Sequence, residues 1–197
     1  MKKYLIIIAF VCTACEGEKE LVIYRFTNDD QQKLLSHYTK GKIFSFGDDE
    51  RKFEVVEIQQ NITRDFKGGI QATYNYDFYY EQKRIILKEY VDGGRYVFVI
   101  HRYPINVEQA KSNPYKIYPS RLIVKFHEGL YINFGDPTTK LSANGLTFEK
   151  VHILDRTEFG SSQKGLFYEA KYIYYDEYYG FVGFNNFDGT QWRLEDK

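Results

Sequence analysis

Apolar and polar side chains alternate along most of the chain at a two-residue period, the pattern of a strand with one face on a core. It is cleanest over residues 71–80, where Tyr74, Tyr76, Phe78 and Tyr80 point one way and Thr73, Asn75, Asp77 and Tyr79 the other. The pattern predicts strands over 21–26, 42–46, 53–60, 71–80, 83–91, 95–101, 121–127, 130–134, 146–154, 166–175, 180–186 and 190–194. Turn signals separate them: Gly47-Asp48-Asp49-Glu50, Asp92-Gly93-Gly94, Glu128-Gly129, Asn144-Gly145 and Asp188-Gly189. One stretch breaks the period. Asn28 suits a helix N-cap, acidic residues fill the first turn, and Leu34, Leu35 and Tyr38 form an apolar stripe before Gly41. The expected fold is therefore mainly β, an antiparallel meander, sandwich or open barrel with one short N-terminal helix.

Three of the four prolines, Pro104, Pro114 and Pro119, fall where the alternation lapses. Proline cannot donate to a sheet ladder, so 104–120 reads as a connector between a first β-rich half, 21–103, and a second, 121–197. A shift of 95 residues lays Phe53, Val56 and Ile58 on Phe148, Val151 and Ile153, and Tyr79-Tyr80-Glu81 on Tyr174-Tyr175-Asp176; one residue more lays Asp92-Gly93 on Asp188-Gly189. Two copies of one strand-hairpin unit would produce this echo, and so would any two Tyr-rich meanders.

The first fifteen residues follow a different rule. Lys2 and Lys3 precede an unbroken apolar run, Leu5 to Val11, and then Cys12-Thr13-Ala14-Cys15. The run is too short for a permanent span, which needs roughly 20 residues, so residues 1–14 read as a secretory leader that is removed. The cysteine box resembles the lipobox of bacterial lipoproteins, with Cys12 where that pattern usually has Leu. The resemblance implies that Cys15 becomes the first mature residue and carries a diacylglycerol on its thiol, the acyl chains anchoring the protein at about 0.8 kcal/mol per buried CH₂. Ordinary cleavage after Ala14 is the plain alternative. Behind the anchor, Glu16-Gly17-Glu18-Lys19-Glu20 resembles the surface-export signal of some Gram-negative lipoproteins and equally suits a solvated tether over 15–20. Further along, Tyr38 to Phe46, Tyr179 to Phe184 and Asp188 to Leu194 are similar to stretches of uncharacterised bacterial lipoproteins, a resemblance that brings no activity with it. The expected address is the bacterial envelope, at the outer membrane or cell surface.

Charge and composition narrow the function. Without Lys2 and Lys3, 25 basic residues face 27 acidic ones, which leaves no electrostatic footprint for nucleic acid. Beyond Cys15 there is no cysteine, so stability rests on burial rather than on disulfides. Aromatic residues, 19 Tyr and 16 Phe among them, favour strands.

Catalytic signatures are missing. His37, His101, His127 and His152 are widely spaced and none lies in a His-Glu-x-x-His pattern. His127 with Glu128, and His152 with Asp155, would make a metal or acid–base site only if folding gathered them. Gly68-Gly69 and Gly93-Gly94 lack the lysine of a phosphate loop, and Asp48-Asp49-Glu50 lacks the alternating oxygens of a calcium loop. No catalytic residue, metal or cofactor is expected. The aromatic stripe from Tyr74 to Tyr80 could stack on sugars or anchor a protein, although strand spacing favours core packing, as it does for Trp192. The expectation is a non-enzymatic envelope lipoprotein that binds an unknown protein or glycan; the competing expectation is an envelope hydrolase whose carboxylates and histidines converge in the fold. A deep cleft gathering Asp or Glu with His would favour the second.

Overall fold

A computed structural model describes residues 21–47, 50–65, 78–127, 130–157 and 169–195. The described chain begins with β1 (Ile23–Tyr24), helix α1 (Asn28–Lys33) and a 3-10 turn (Leu35–His37). Then come β2 (Ile43–Phe46), β3 (Arg51–Arg64), β4 (Tyr79–Glu89), β5 (Arg95–Pro104), the short helix α2 (Val107–Ser112), β6 (Ser120–His127) and β7 (Leu130–Asn133). A second run follows: β8 (Thr139–Ala143), β9 (Leu146–Asp155), β10 (Ala170–Asp176), β11 (Gly180–Asn186) and β12 (Gln191–Arg193). The molecule is mainly β, with two antiparallel half-barrel sheets.

The first sheet runs β2-β3-β4-β5-β6-β7, with β1 laid parallel against the start of β4; the second runs β12-β11-β10-β9-β8. They meet at a seam. Phe46 bridges to Leu194, Gly47 N donates to Arg193 O at 3.3 Å, and Glu195 N donates to Ser45 O at 2.9 Å. One core fills the space between the sheets. Phe46 lies 5.7 Å from Phe53, 5.1 Å from Phe181 and 5.8 Å from Phe184, ring centroid to centroid, in the tilted and edge-on arrangements that aromatic quadrupoles favour.

The helix is capped one residue earlier than expected. Thr27, not Asn28, is the N-cap: its Oγ1 accepts from Asp30 N and Asp30 Oδ2 accepts from Thr27 N, a reciprocal capping box. The helix then tightens into the 3-10 turn instead of continuing to Tyr38, while Leu34, Leu35 and Tyr38 are all buried as the stripe predicted. Lys83 of β4 is buried beneath this turn, and its Nζ donates to Leu35 O at 3.1 Å. Tyr38 ties the segment to the second sheet, since its hydroxyl donates to Tyr175 Oη at 3.1 Å and accepts from Phe181 N at 3.0 Å. Gly180 must be glycine here. Its φ is +76°, and a Cβ would stand 2.0 Å from Tyr38 Oη.

The proline-containing stretch joins two neighbouring strands of one sheet, because Pro104 at the end of β5 pairs with Ser120 at the start of β6. The chain passes between the sheets later, between β7 and β8. The sequence echo aligns residues that hold different places. Tyr79-Tyr80-Glu81 opens the strand that runs into Asp92-Gly93, whereas Tyr174-Tyr175-Asp176 closes β10, and all of β11 intervenes before Asp188-Gly189.

Candidate functional site

A cleft of about 130 Å³ opens where α1 meets both sheets. At roughly 30 Å³ per water, it holds a few solvent molecules or a small polar group. Asp29, Asp30 and Leu34 line it from the helical segment, Leu122 from β6, Phe134 from just after β7, Lys150 from β9, and Glu177 and Tyr178 from the turn after β10. Leu34 and Leu122 are buried, so the floor is apolar and the rim charged.

Strand pairing assembles the rim. Asp176 opens the β10–β11 turn: its Oδ1 accepts from Tyr178 N at 2.8 Å and Tyr179 N at 3.0 Å, and its Oδ2 accepts from Lys150 N at 3.2 Å. That turn sets Glu177 opposite Lys150, with Glu177 N donating to Lys150 O at 3.0 Å. Glu177 Oε2 then meets Lys150 Nζ at 3.2 Å, while its Oε1 meets His152 Nε2 at 3.2 Å. The imidazole lies behind the rim, buried and stacked on Phe134 at 5.4 Å and 18°. Across the cleft, Asp30 is occupied by its cap and by Arg102 Nη1, 3.0 Å from both carboxylate oxygens. Asp30 and Asp176 are thus structural, whereas Glu177, about four-fifths buried and shared between a lysine and a histidine, forms the ionic edge of the cleft.

The histidines stay apart in role. His152 meets Glu177 and not Asp155, because three residues along a strand place the two on opposite faces; Asp155 Oδ1 instead accepts from Thr157 N at 2.8 Å and Thr157 Oγ1 at 2.7 Å. His101 packs between Tyr80 and Tyr103, at 5.4 Å from each ring. Burial, reinforced by Lys125, pushes its pKa down to about 4. His37 lies against Tyr179 at 5.4 Å, and burial lowers its pKa as well. His127 ends β6, and its side chain and Glu128 lie outside the described residues. Among the described residues, no group of three or more His, Cys, Asp or Glu is placed to hold a metal ion.

Of the aromatic stripe, Tyr74 and Tyr76 lie outside the described residues, as do Cys15, Asp48, Asp49, Gly68 and Gly69. Phe78 is buried, 5.6 Å from Tyr24 and 5.0 Å from Tyr103, so this part of the stripe faces inward. Trp192 stacks on Phe184 at 6.0 Å beneath the Arg51 guanidinium, a packing role at the seam. Sequence reasoning missed Lys150 and Glu177. The period-two spacing of Lys150 and His152 was the available signal for a shared strand face, but their acidic partner enters only through the β9–β10 pairing. Neither a protein-family model, nor a curated protein, nor a solved structure matches the chain.

Proposed function

We propose that the mature chain is a lipid-anchored protein of the bacterial envelope that binds a protein or glycan partner and performs no chemistry of its own. The observation that carries this reading is the leader itself: Lys2-Lys3, the apolar run Leu5 to Val11, and Thr13-Ala14 directly before Cys15. The state of the acidic groups supports the binding half. Asp30 is occupied by a helix cap and an arginine and Asp176 by three backbone N–H groups, so neither is poised as a general acid or base. The anchor is tested by metabolic labelling: radiolabelled palmitate enters the wild-type chain and not Cys15→Ser, and equal labelling of both contradicts it. Crosslinked pull-down of the lipidated chain from membranes identifies the partner.

The second reading, an envelope hydrolase, draws on one feature, the Glu177–His152 contact at the edge of the cleft. It requires that Glu177→Gln abolish turnover of an ester or glycan substrate. The binding reading requires that no such turnover exist in the wild type.

A further inference from the structure

We infer that the corner of the body built from the start of β1 and the β5–β6 connector lies flat on the lipid bilayer, its exposed apolar side chains inserted at the headgroup level. The inference rests on the lipid-anchor reading proposed above and adds an orientation to it. Four large apolar residues are exposed at this corner: Leu21 (39%), Ile105 (55%), Tyr115 (42%) and Ile117 (78%). Backbone hydrogen bonds tie them into one surface. Val22 N donates to Pro114 O at 2.9 Å, which joins the entering chain to the connector, and Ile105 N donates to Pro119 O at 2.9 Å, which closes the connector on itself. Beneath lies a small cluster, buried Tyr24, Phe78 and Ala110 with Val22, Val107 and Tyr118 packed on it, so the exposed residues sit on a firm base.

Chain length identifies the occupant. Five residues, Glu16 to Glu20, separate Cys15 from Leu21, which makes six Cα-to-Cα steps. Fully extended, such a segment spans at most about 20 Å, so a diacylated Cys15 holds this corner at the bilayer surface. The side chains suit that depth: isoleucine and leucine gain by leaving water, and the ring of Tyr115 has the apolar body and polar tip that settle at headgroup level. Lys116, exposed between Tyr115 and Ile117, holds its Nζ 5.5 Å from the centre of the Tyr118 ring, and its flexible stem lets the ammonium swing to the phosphates.

The same topology supplies an internal control. β4 starts beside β1, with Tyr79 paired to Ile23, and runs eleven residues before the β4–β5 turn. At about 3.3 Å per residue, that turn lies roughly 35 Å from the corner. Val91 there is 70% exposed, nearly as open as Ile117, and it follows the end of β4 opposite to the corner.

The test uses the full lipidated chain reconstituted into phosphatidylcholine vesicles, with an environment-sensitive fluorophore on Ile117→Cys or, separately, on Val91→Cys. Cys12 leaves with the leader and Cys15 is acylated, so each variant carries one free thiol. Quenching by aqueous iodide should fall roughly threefold at 117 on reconstitution, with a blue-shifted emission, and stay unchanged at 91. Vesicle-bound protein quenched equally at both positions overturns the inference and leaves the anchor standing. Protein that fails to float with the vesicles overturns the anchor reading and this orientation with it. Shielding of 117 that grows with protein concentration at fixed lipid marks a second copy on the surface and also overturns it.

Discussion

The seam between the sheets and the corner around β1 bury the same kinds of side chain to different degrees. At the seam, Phe46, Phe53, Phe181 and Phe184 are essentially inaccessible, and the edges of both sheets are stitched by backbone hydrogen bonds. The buried Glu89 near it is well supplied: it meets Arg51 through one oxygen and accepts from Tyr96 Oη at 2.8 Å through the other. At the corner three buried residues carry a fringe of exposed isoleucine, leucine and tyrosine. The seam is complete by itself, whereas the corner has an outer face that the described residues do not cover. Stability is therefore concentrated away from the surface we assign to the membrane, and changes in that surface are cheap to the fold.

The largest expected effect lies at the seam. Phe46→Ala removes the ring shared by both sheets and should cost about 3–5 kcal/mol in chemical denaturation. A cost below about 1 kcal/mol would mean that the sheets do not share one core.

Acid should act at the corner. His101 packs with Tyr80 and Tyr103, and Tyr103 in turn packs on Phe78 of the corner cluster. Its folded-state pKa lies near 4, below the ordinary 6.5, so the imidazole is neutral in the fold and the unfolded chain takes up the proton first. Its contribution is then fully present above pH 6.5 and is lost as pH falls towards 4, on the order of 2–3 kcal/mol over that window. Stability measured across those pH values should flatten by about this amount in His101→Phe; an unchanged slope contradicts the assignment.

Tyr38→Phe should cost about 1–3 kcal/mol, because it leaves the buried Phe181 N–H without its acceptor. Thermal unfolding measures this. The smallest effect is the sharpest for the comparison: Ile117→Ser should change stability by less than about 0.5 kcal/mol, since an exposed side chain has little burial to lose. A large loss would show that the corner is packed after all.

Much of the fold was legible because its signals are local. The alternation located most of the strands but not β8 (Thr139–Ala143), and it divided β4 in two; Asp92-Gly93-Gly94 and Asp188-Gly189 marked hairpins, and Leu34, Leu35 and Tyr38 marked the buried helical face. The partition of strands between sheets was not. The prolines of residues 104–120 signal a break in pairing, but a break in the ladder says nothing about which strand resumes beside which, and β6 returns to β5. The parallel pairing of β1 with β4 links residues more than fifty positions apart and has no short-range signature. The cleft was illegible for the same reason: its walls come from α1, β6, the end of β7, β9 and the turn after β10, and Glu177 reaches His152 only through strand pairing.

On the proposed reading, Cys15 holds the body to a membrane. Intact-mass and N-terminal analysis of the protein extracted from native membranes tests it most directly. A lipid-anchored protein yields a mature chain that starts at Cys15 and carries the added mass of a diacylglycerol. A chain that retains Met1 to Ala14, or one that starts at an unmodified Cys15 and is recovered from the aqueous fraction, would contradict it.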